Sequence, residues 1–251
     1  MNRWYFLSPL ILQKLIWIPT RLILWFFGHL EVKGLENLKD LRTNAIFAIN
    51  HSSELDPILL PAALPLFSRF SPIFYTSREQ SFYKHSGWRQ RFYGGAFFKA
   101  WGAYPVSVGL HDYDKSLVNQ ARIMNDGGDL CIFPEGRKTT DGNIQKAKGG
   151  VAYLSYITKK PIVPVHYTGT YRLSMGEFFS RKRHLTVSFG APIYAIAKAD
   201  RYPSYDMFKD YAETVMDEIR KLSPSPMPMP ITEPEARLSP LRPDPLLKTR
   251  Y

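Results

Sequence analysis

The chain has 251 residues, enough for one sizeable α/β domain plus tails. Its net charge of +11 calls for an acidic partner, either nucleic acid or an anionic surface. A single cysteine excludes an internal disulfide and suits a reducing compartment.

From Met1 to Leu30 the chain is rich in Trp, Phe, Leu and Ile, and Arg3, Lys14 and Arg21 fall on one narrow stripe of a helical wheel. The wide apolar face, with Trp4, Trp17 and Trp25 available at headgroup level, reads as a membrane-interface segment. Pro9 and Pro19 interrupt the run, so the expectation is two or three short amphipathic helices lying in one leaflet. A single spanning helix is the rival reading, but Lys14 and Arg21 each cost about 2.5–3.5 kcal/mol near a bilayer centre. No small-x-small cleavage site follows, which argues against a secretory signal peptide. This arrangement turns the basic charge toward a phospholipid surface rather than nucleic acid.

Ala45–Ile49 reads as a short buried strand, and Asn50-His51-Ser52-Ser53-Glu54-Leu55-Asp56 follows it. Pro57 suits the first turn of a helix, which makes Asp56 an N-cap candidate for a helix from Pro57 through Leu60 and beyond. On one continuous helix, His51 and Asp56 would sit about 140° apart and could not meet. A strand, a tight turn and a helix start can bring them together at the end of a sheet. The pair then supplies a histidine base and a carboxylate to orient it. Read alone, the same residues are a loop histidine and a cap.

Phe67–Trp101 holds twelve aromatic residues, six Lys or Arg and one acid, Glu79. Arg78, Lys84, Arg89 and Arg91 can meet lipid phosphates or an acidic carrier protein. Phe82, Tyr83, Trp88, Phe92 and Phe97 can line an acyl groove or pack the core. Leu130–Phe133 reads as a second buried strand, broken by Pro134-Glu135-Gly136. The loop beyond it displays Arg137, Lys138, Thr139, Thr140 and Asp141-Gly142, then Lys148-Gly149-Gly150. Arg137 and Lys138 offer a fork and a point charge to a phosphate, and Gly136, Gly149 and Gly150 allow close backbone approach. Taken alone, such a loop is a solvated basic turn. No Gly-x-Ser-x-Gly elbow is present, and Cys131 reads as a small buried residue rather than a nucleophile. No metal-ligand cluster is evident.

Gly149–Ile157 reads as a helix, Ile162–Val165 as a strand, and Leu185–Ile193 alternates like a late strand. Arg181, Lys182 and Arg183 lie in the intervening loop, as a solvated face or a lipid contact. Ser204–Leu222 has helical periodicity through Met207, Tyr211, Val215 and Ile219, with Ser204 as the cap. From Ser223 onward eight prolines occur in twenty-nine residues, the composition of a disordered or polyproline-like tail. The expected organisation is a membrane-associating segment over 1–30, a domain over 31–222 and the tail over 223–251.

Together these motifs resemble the glycerolipid acyltransferase family, which includes the 1-acylglycerol-3-phosphate acyltransferases. Asn50, His51 and Asp56 match its Asn-His-x-x-x-x-Asp motif. Phe133, Pro134, Glu135 and Gly136 match Phe-Pro-Glu-Gly-Thr-Arg-Ser, whose last three positions here hold Arg137, Lys138 and Thr139. Asp141-Gly142, Lys148-Gly149-Gly150 and Val163-Pro164 match later blocks, and the order agrees from about Leu30 to Leu222. In Gly-x-x-Phe/Tyr-Ile/Val-x-Arg the chain departs, placing Val108 where the family has an arginine.

The resemblance implies one α/β sheet flanked by helices, the glycerol-phosphate acyltransferase-like fold, with N-terminal amphipathic helices at the membrane interface. It implies transfer of a fatty acyl group from acyl-CoA or acyl carrier protein to lysophosphatidic acid, with no cofactor and no metal. His51 and Asp56 become the catalytic pair, and Glu135, Gly136, Arg137, Lys138 and Thr139 the acceptor site. Glu135 orients glycerol hydroxyls or nearby cations, or only pairs with Arg137 or Lys148. The expected partners are a phospholipid membrane and a lysophospholipid, at the cytoplasmic face. Val108 keeps glycerol-3-phosphate or another lysolipid open as acceptor, and a non-catalytic lipid-binding protein is the reading from a different class.

Overall fold

Continuous apolar runs, rather than alternating ones, form the central strands, because both faces of their sheet are covered. The computed structural model describes residues 4–77, 96–107, 112–194 and 204–224. In chain order it contains α1 (Trp4–Gly28), β1 (Glu31–Lys33), β2 (Ile46–Ile49), α2 (Asp56–Ala63), β3 (Ile73–Ser77), α3 (Ala96–Trp101) and β4 (Ala103–Pro105). It continues with α4 (Tyr113–Ser116), α5 (Val118–Asn125), β5 (Asp129–Ile132), α6 (Gly150–Thr158), β6 (Ile162–Thr168), α7 (Met175–Phe179), β7 (Thr186–Phe189) and α8 (Tyr205–Lys221).

The strands form one seven-stranded sheet in the order β1-β7-β6-β2-β5-β3-β4. Neighbours run parallel except β6 and β7, so β1 and β7 run opposite to the rest. Helices flank it, as expected. Residues alternate between two cores. Phe47, Ile49, Tyr75, Cys131, Val163 and Val165 face the side of α1, α2 and α7. Ile46, Ala48, Phe74, Leu130 and Ile162 face α5, α6 and α8.

Helix α8 starts where its cap predicts, with the Ser204 hydroxyl accepting from Met207 N at 3.3 Å. Its buried face is rotated from the expected one. Phe208, Ala212, Val215, Met216 and Ile219 are buried, whereas Met207 is exposed.

The N-terminal segment differs from expectation. One continuous helix runs from Trp4 to Gly28 with Pro9 and Pro19 inside it. Each proline removes an intrahelical bond, and tertiary contacts offset the loss. Gln13 is buried and bridges two elements, donating to Ile73 O at 2.7 Å and Trp101 O at 3.1 Å and accepting from Ile73 N at 2.9 Å. Trp17 Nε1 donates to Leu64 O at 3.0 Å and Arg21 to Ala62 O at 2.6 Å. Tyr5 donates to Asp126 at 2.5 Å near one end, and Phe27 packs on Phe178 near the other. Gln13 and Arg21 therefore face the domain, and Trp17 faces it too rather than a headgroup layer. Trp4, Leu7, Ile11, Leu15, Ile18, Leu22 and Trp25 are exposed along the opposite side, at spacings of three and four.

Arg3, the expectations on Arg78–Phe92, the side chain of Phe97, Val108 and the tail beyond Pro224 lie outside the described residues.

Asp129 opens β5 at the sheet end away from the loops described below. It is buried and accepts from Ala45 N at 2.8 Å. Burial pushes its carboxyl from the ordinary 3.8 up to about 7, against the pull of that amide, Arg69 and Lys160. An acid that holds its proton more tightly folded than unfolded removes stability as pH rises through that interval. The Asp129→Asn variant, which keeps the Ala45 contact, should lose on the order of 2 kcal/mol less stability than the wild type between pH 4 and pH 8. Urea denaturation at the two pH values measures the difference, and parallel pH profiles would contradict it.

Candidate active site

Loops leaving the carboxyl ends of β2, β5 and β6 converge at one edge of the sheet. Asn50 ends β2 and locks it to β6, donating to Tyr167 O at 3.0 Å and accepting from Tyr167 N at 2.7 Å. The chain then reverses through Ser52–Leu55 into α2. Leu55 occupies the N-cap position and Asp56 is the first helical residue, so Asp56 does not cap the helix as expected. Its carboxylate turns back into the reversal instead. Oδ2 meets Ser52 N at 2.7 Å, Ser53 N at 2.9 Å and His51 Nδ1 at 2.8 Å. Three donors on one oxygen outweigh the single bond a cap would make.

This turn closes the angle that a continuous helix would keep open. The Asp56 side chain is fully buried, while that of His51 is 19% exposed. A carboxylate only accepts, so Nδ1 is the donor to it, and Nε2 is the ring nitrogen left to exchange a proton with a substrate. Phe133, just past β5, stacks on the imidazole with ring centroids 4.1 Å apart and planes 18° from parallel. The opposing support comes from the backbone. Glu135 Oε1 accepts from His51 N at 2.8 Å, and Thr139 N donates to His51 O at 2.8 Å.

Glu135 is buried, and its second oxygen accepts from Gln145 N at 2.9 Å. Burial raises its pKa, and the two amides and His51 pull it back. The carboxylate thus ties the first loop to the second. Among the described residues it forms no ion pair with Arg137 or Lys148. Gly136 has φ +71, and a Cβ there would lie 3.0 Å from the Lys148 side chain. Lys148 is therefore a further cation on this rim.

Arg137 and Lys138 are exposed. Lys138 Nζ meets Glu54 Oε1 at 2.5 Å, so an anionic ligand has to compete with Glu54 for it. The Thr139 hydroxyl donates to Asp141 at 2.8 Å and accepts from Gly142 N at 3.1 Å, which stiffens the loop. Gly149 does not make room for a ligand. A Cβ there would approach Tyr113 Oη to 2.4 Å and the α8 backbone to 2.9 Å, so its smallness admits that helix.

His51, Asp56, Glu135 and Thr139 are thus brought together, with Gly136, Arg137 and Lys138 on the open rim. Phe133 and Lys148 lay within the sequence motifs but carried no signal of where they point. Ser52 reads from sequence as a turn residue, yet its hydroxyl bonds to the buried Thr170 at 2.5 Å. His166 is not a competing base. It lies on β6, where burial pushes it down to about 4. Burial also pushes the Cys131 thiol up, which keeps it protonated. Among the described residues no cluster of His, Cys, Asp and Glu is placed to hold a metal ion.

The family pattern described as Acyltransferase matches residues 29–168. A 1-acyl-sn-glycerol-3-phosphate acyltransferase of Limnanthes alba is 26% identical over 212 residues, covering 83% of this chain and 69% of its own. A probable 1-acyl-sn-glycerol-3-phosphate acyltransferase of Mycoplasma pneumoniae is 27% identical over 163 residues, 61% of this chain and 56% of its own length. The crystal structure of the 1-acyl-sn-glycerophosphate (LPA) acyltransferase of Thermotoga maritima superposes with a TM-score of 0.56 at 18% identity. It covers 84% of this chain and 79% of that one, and shares the fold.

The Glu135 contacts generate a testable split. Glu135→Ala should cost on the order of 2–4 kcal/mol in stability, from two charge-assisted bonds, and lower kcat more than it raises either KM. Thermal unfolding and steady-state kinetics check this. Unchanged stability with a raised KM for the acceptor alone would mean that the carboxylate touches substrate.

Proposed function

The chain belongs to the glycerolipid acyltransferase family and is an O-acyltransferase, and from that premise we propose that it acylates a lysophosphatidic acid-like hydroxyl to give a phosphatidic acid. The His51–Asp56 pair carries the reading, because its oriented imidazole sits at the mouth of a loop cluster rich in cations. His51 Nε2 takes the proton of the acceptor hydroxyl as its oxygen bonds to the carbonyl carbon of an acyl thioester. The tetrahedral intermediate collapses by breaking the carbon–sulfur bond, and the imidazolium returns the proton to the departing thiolate. Asp56 stabilises the transient positive ring and fixes its tautomer. No protein nucleophile takes part.

Acyl-CoA and acyl carrier protein both present a thioester, and both are acidic partners suited to the net charge of +11. Arg137, Lys138 and Lys148 line the rim nearest His51 and supply the acceptor's phosphate site. Reaching it requires Lys138 to leave Glu54, an exposed pair of the kind that contributes about 0–1 kcal/mol. Glu135 and Gly136 act from behind, by setting the loop.

Helix α1 supports placement at a membrane. Its 25 residues are long and apolar enough to cross a membrane, yet contacts tie it to the domain near both ends. With Gln13, Trp17 and Arg21 turned to the domain, the exposed apolar stripe is the face offered to lipid. The helix lies in the interface, with the catalytic edge held level with lysolipid hydroxyls, and the cytoplasmic face is where its thioester donors are found.

Val108, which replaces the family's arginine, favours a second reading in which the acceptor lacks a phosphomonoester. Product mass spectrometry separates the two. Purified protein is incubated with acyl-CoA and acyl carrier protein donors and with lysophosphatidic acid, glycerol-3-phosphate, and neutral or zwitterionic lysolipids. Phosphatidic acid is the expected product. Product from another acceptor alone would overturn the substrate assignment.

A further inference from the structure

We propose that the cleft between the end of α1 and the loop after α7 binds the phosphate of an anionic phospholipid, apart from the acyl-transfer site. This rests on the reading that α1 faces the bilayer. The cleft is open, about 240 Å³ in volume, and lined by Trp25, Phe26, His29, Leu30 and Arg181. Its two walls are pinned together. Leu185 N donates to Gly28 O at 2.8 Å, and His29 stacks on His184 with centroids 4.6 Å apart and planes 19° from parallel.

Arg181 is the binding group. It sits in a left-handed turn at φ 60, and its amide donates to Phe178 O at 3.0 Å. Its guanidinium carbon lies 4.5 Å from the centre of the Phe26 ring. Stacking spends the face of a guanidinium and leaves its N–H edges for phosphate oxygens. The neighbouring charges favour an anion. Arg183 is taken up by Glu177 at 3.1 Å, whereas Arg181 and Lys182 form no ion pair among the described residues. Arg172 lies against Tyr171, with its guanidinium carbon 5.2 Å from the ring centre.

The surroundings select lipid over free phosphate. Leu22, Trp25 and Phe26 of α1 and Met175 and Phe179 of α7 are exposed large apolar side chains. A dissolved ion makes no use of them, whereas a phospholipid places its chains there and its phosphate at the cationic rim. The cleft also lies at the same end of the sheet as His51. Residue Glu31 of β1 pairs with Thr186, and Thr186 pairs with Thr168 at the loop end of β6. Three strand spacings separate β1 from β2, about 14 Å. A lipid held there fixes the height of the catalytic edge over the bilayer.

Co-sedimentation of the full chain with phosphatidylcholine vesicles, and with the same vesicles containing phosphatidylglycerol, tests the site. The wild type should bind both and prefer the anionic one. Arg181→Gln should cut that preference about tenfold, beyond the roughly fivefold that one surface cation contributes through the field alone. Arg181→Lys should lose most of it although its charge is kept, and His184→Phe, which keeps the stack, should weaken it. None of the three should change binding to phosphatidylcholine. Full preference in Arg181→Lys would reduce the cleft to diffuse surface charge and overturn the site. Equal wild-type binding to both vesicles would overturn it while leaving the membrane reading intact. Absence of binding to either vesicle would remove both. Release from anionic vesicles by inorganic phosphate at matched ionic strength would make free phosphate the ligand and overturn the lipid assignment.

Discussion

A single buried oxygen, Oδ2 of Asp56, organises the site. It holds two backbone amides of the turn after β2 and the Nδ1 of His51, all within 2.9 Å. A fully buried carboxylate is costly unless donors meet it, and here the three donors on Oδ2 come from the residues it has to position, while the buried Oδ1 has no partner among the described residues. The turn, the helix start and the ring orientation are therefore one arrangement. Removing the carboxylate would release all three, because the amides would lose their acceptor together with the ring. Glu135 repeats the device one loop away, with two amides on two oxygens of a second buried carboxylate. Between them the two acids hold the His51 backbone and side chain, with Phe133 across one face of the ring.

The same economy explains the N-terminal helix. Gln13, Trp17 and Arg21 each place a polar group on a backbone carbonyl of the domain, and the Lys14 ammonium lies over the Phe67 ring. The exposed side chains from Trp4 to Trp25 form a stripe that is apolar apart from Ser8. Such a stripe is a poor surface for a soluble domain and a good one for an interface. Helix and catalytic edge are joined through α2, which carries Asp56 at its start and accepts from Arg21 and Trp17 near its end. The exposed apolar helix and the His51–Asp56 pair thus share one short helix as support.

The central strands β2, β5 and β6 are legible in the sequence because a strand covered on both faces becomes a plain apolar run, as in Ala45–Ile49 and Leu130–Phe133, whereas the short β1 and the edge pair β3 and β4 are not. The meeting of His51 and Asp56 is legible because Pro57 favours a helix start there, which puts a turn between the two residues. What the sequence hides is direction. Nothing in Glu135 or Gly149 tells whether the residue faces a ligand or a neighbouring backbone, and both face backbone. The continuity of α1 was also hidden, since Pro9 and Pro19 break isolated helices and contacts made distantly in sequence, such as Gln13 with Ile73 and Arg21 with Ala62, offset the loss. The N-cap expectation at Asp56 failed for a related reason. Propensity weighs one bond to the helix, whereas the fold offered three to the turn.

The account depends most on His51 acting as the base. Single-turnover acyl transfer from a thioester donor, compared between the wild type and His51→Gln at equal folded concentration, tests it most directly. A fall in rate of about a thousandfold, with thermal stability and vesicle binding unchanged, is the predicted result. Retention of the rate within tenfold would contradict it and place the proton abstraction on another group.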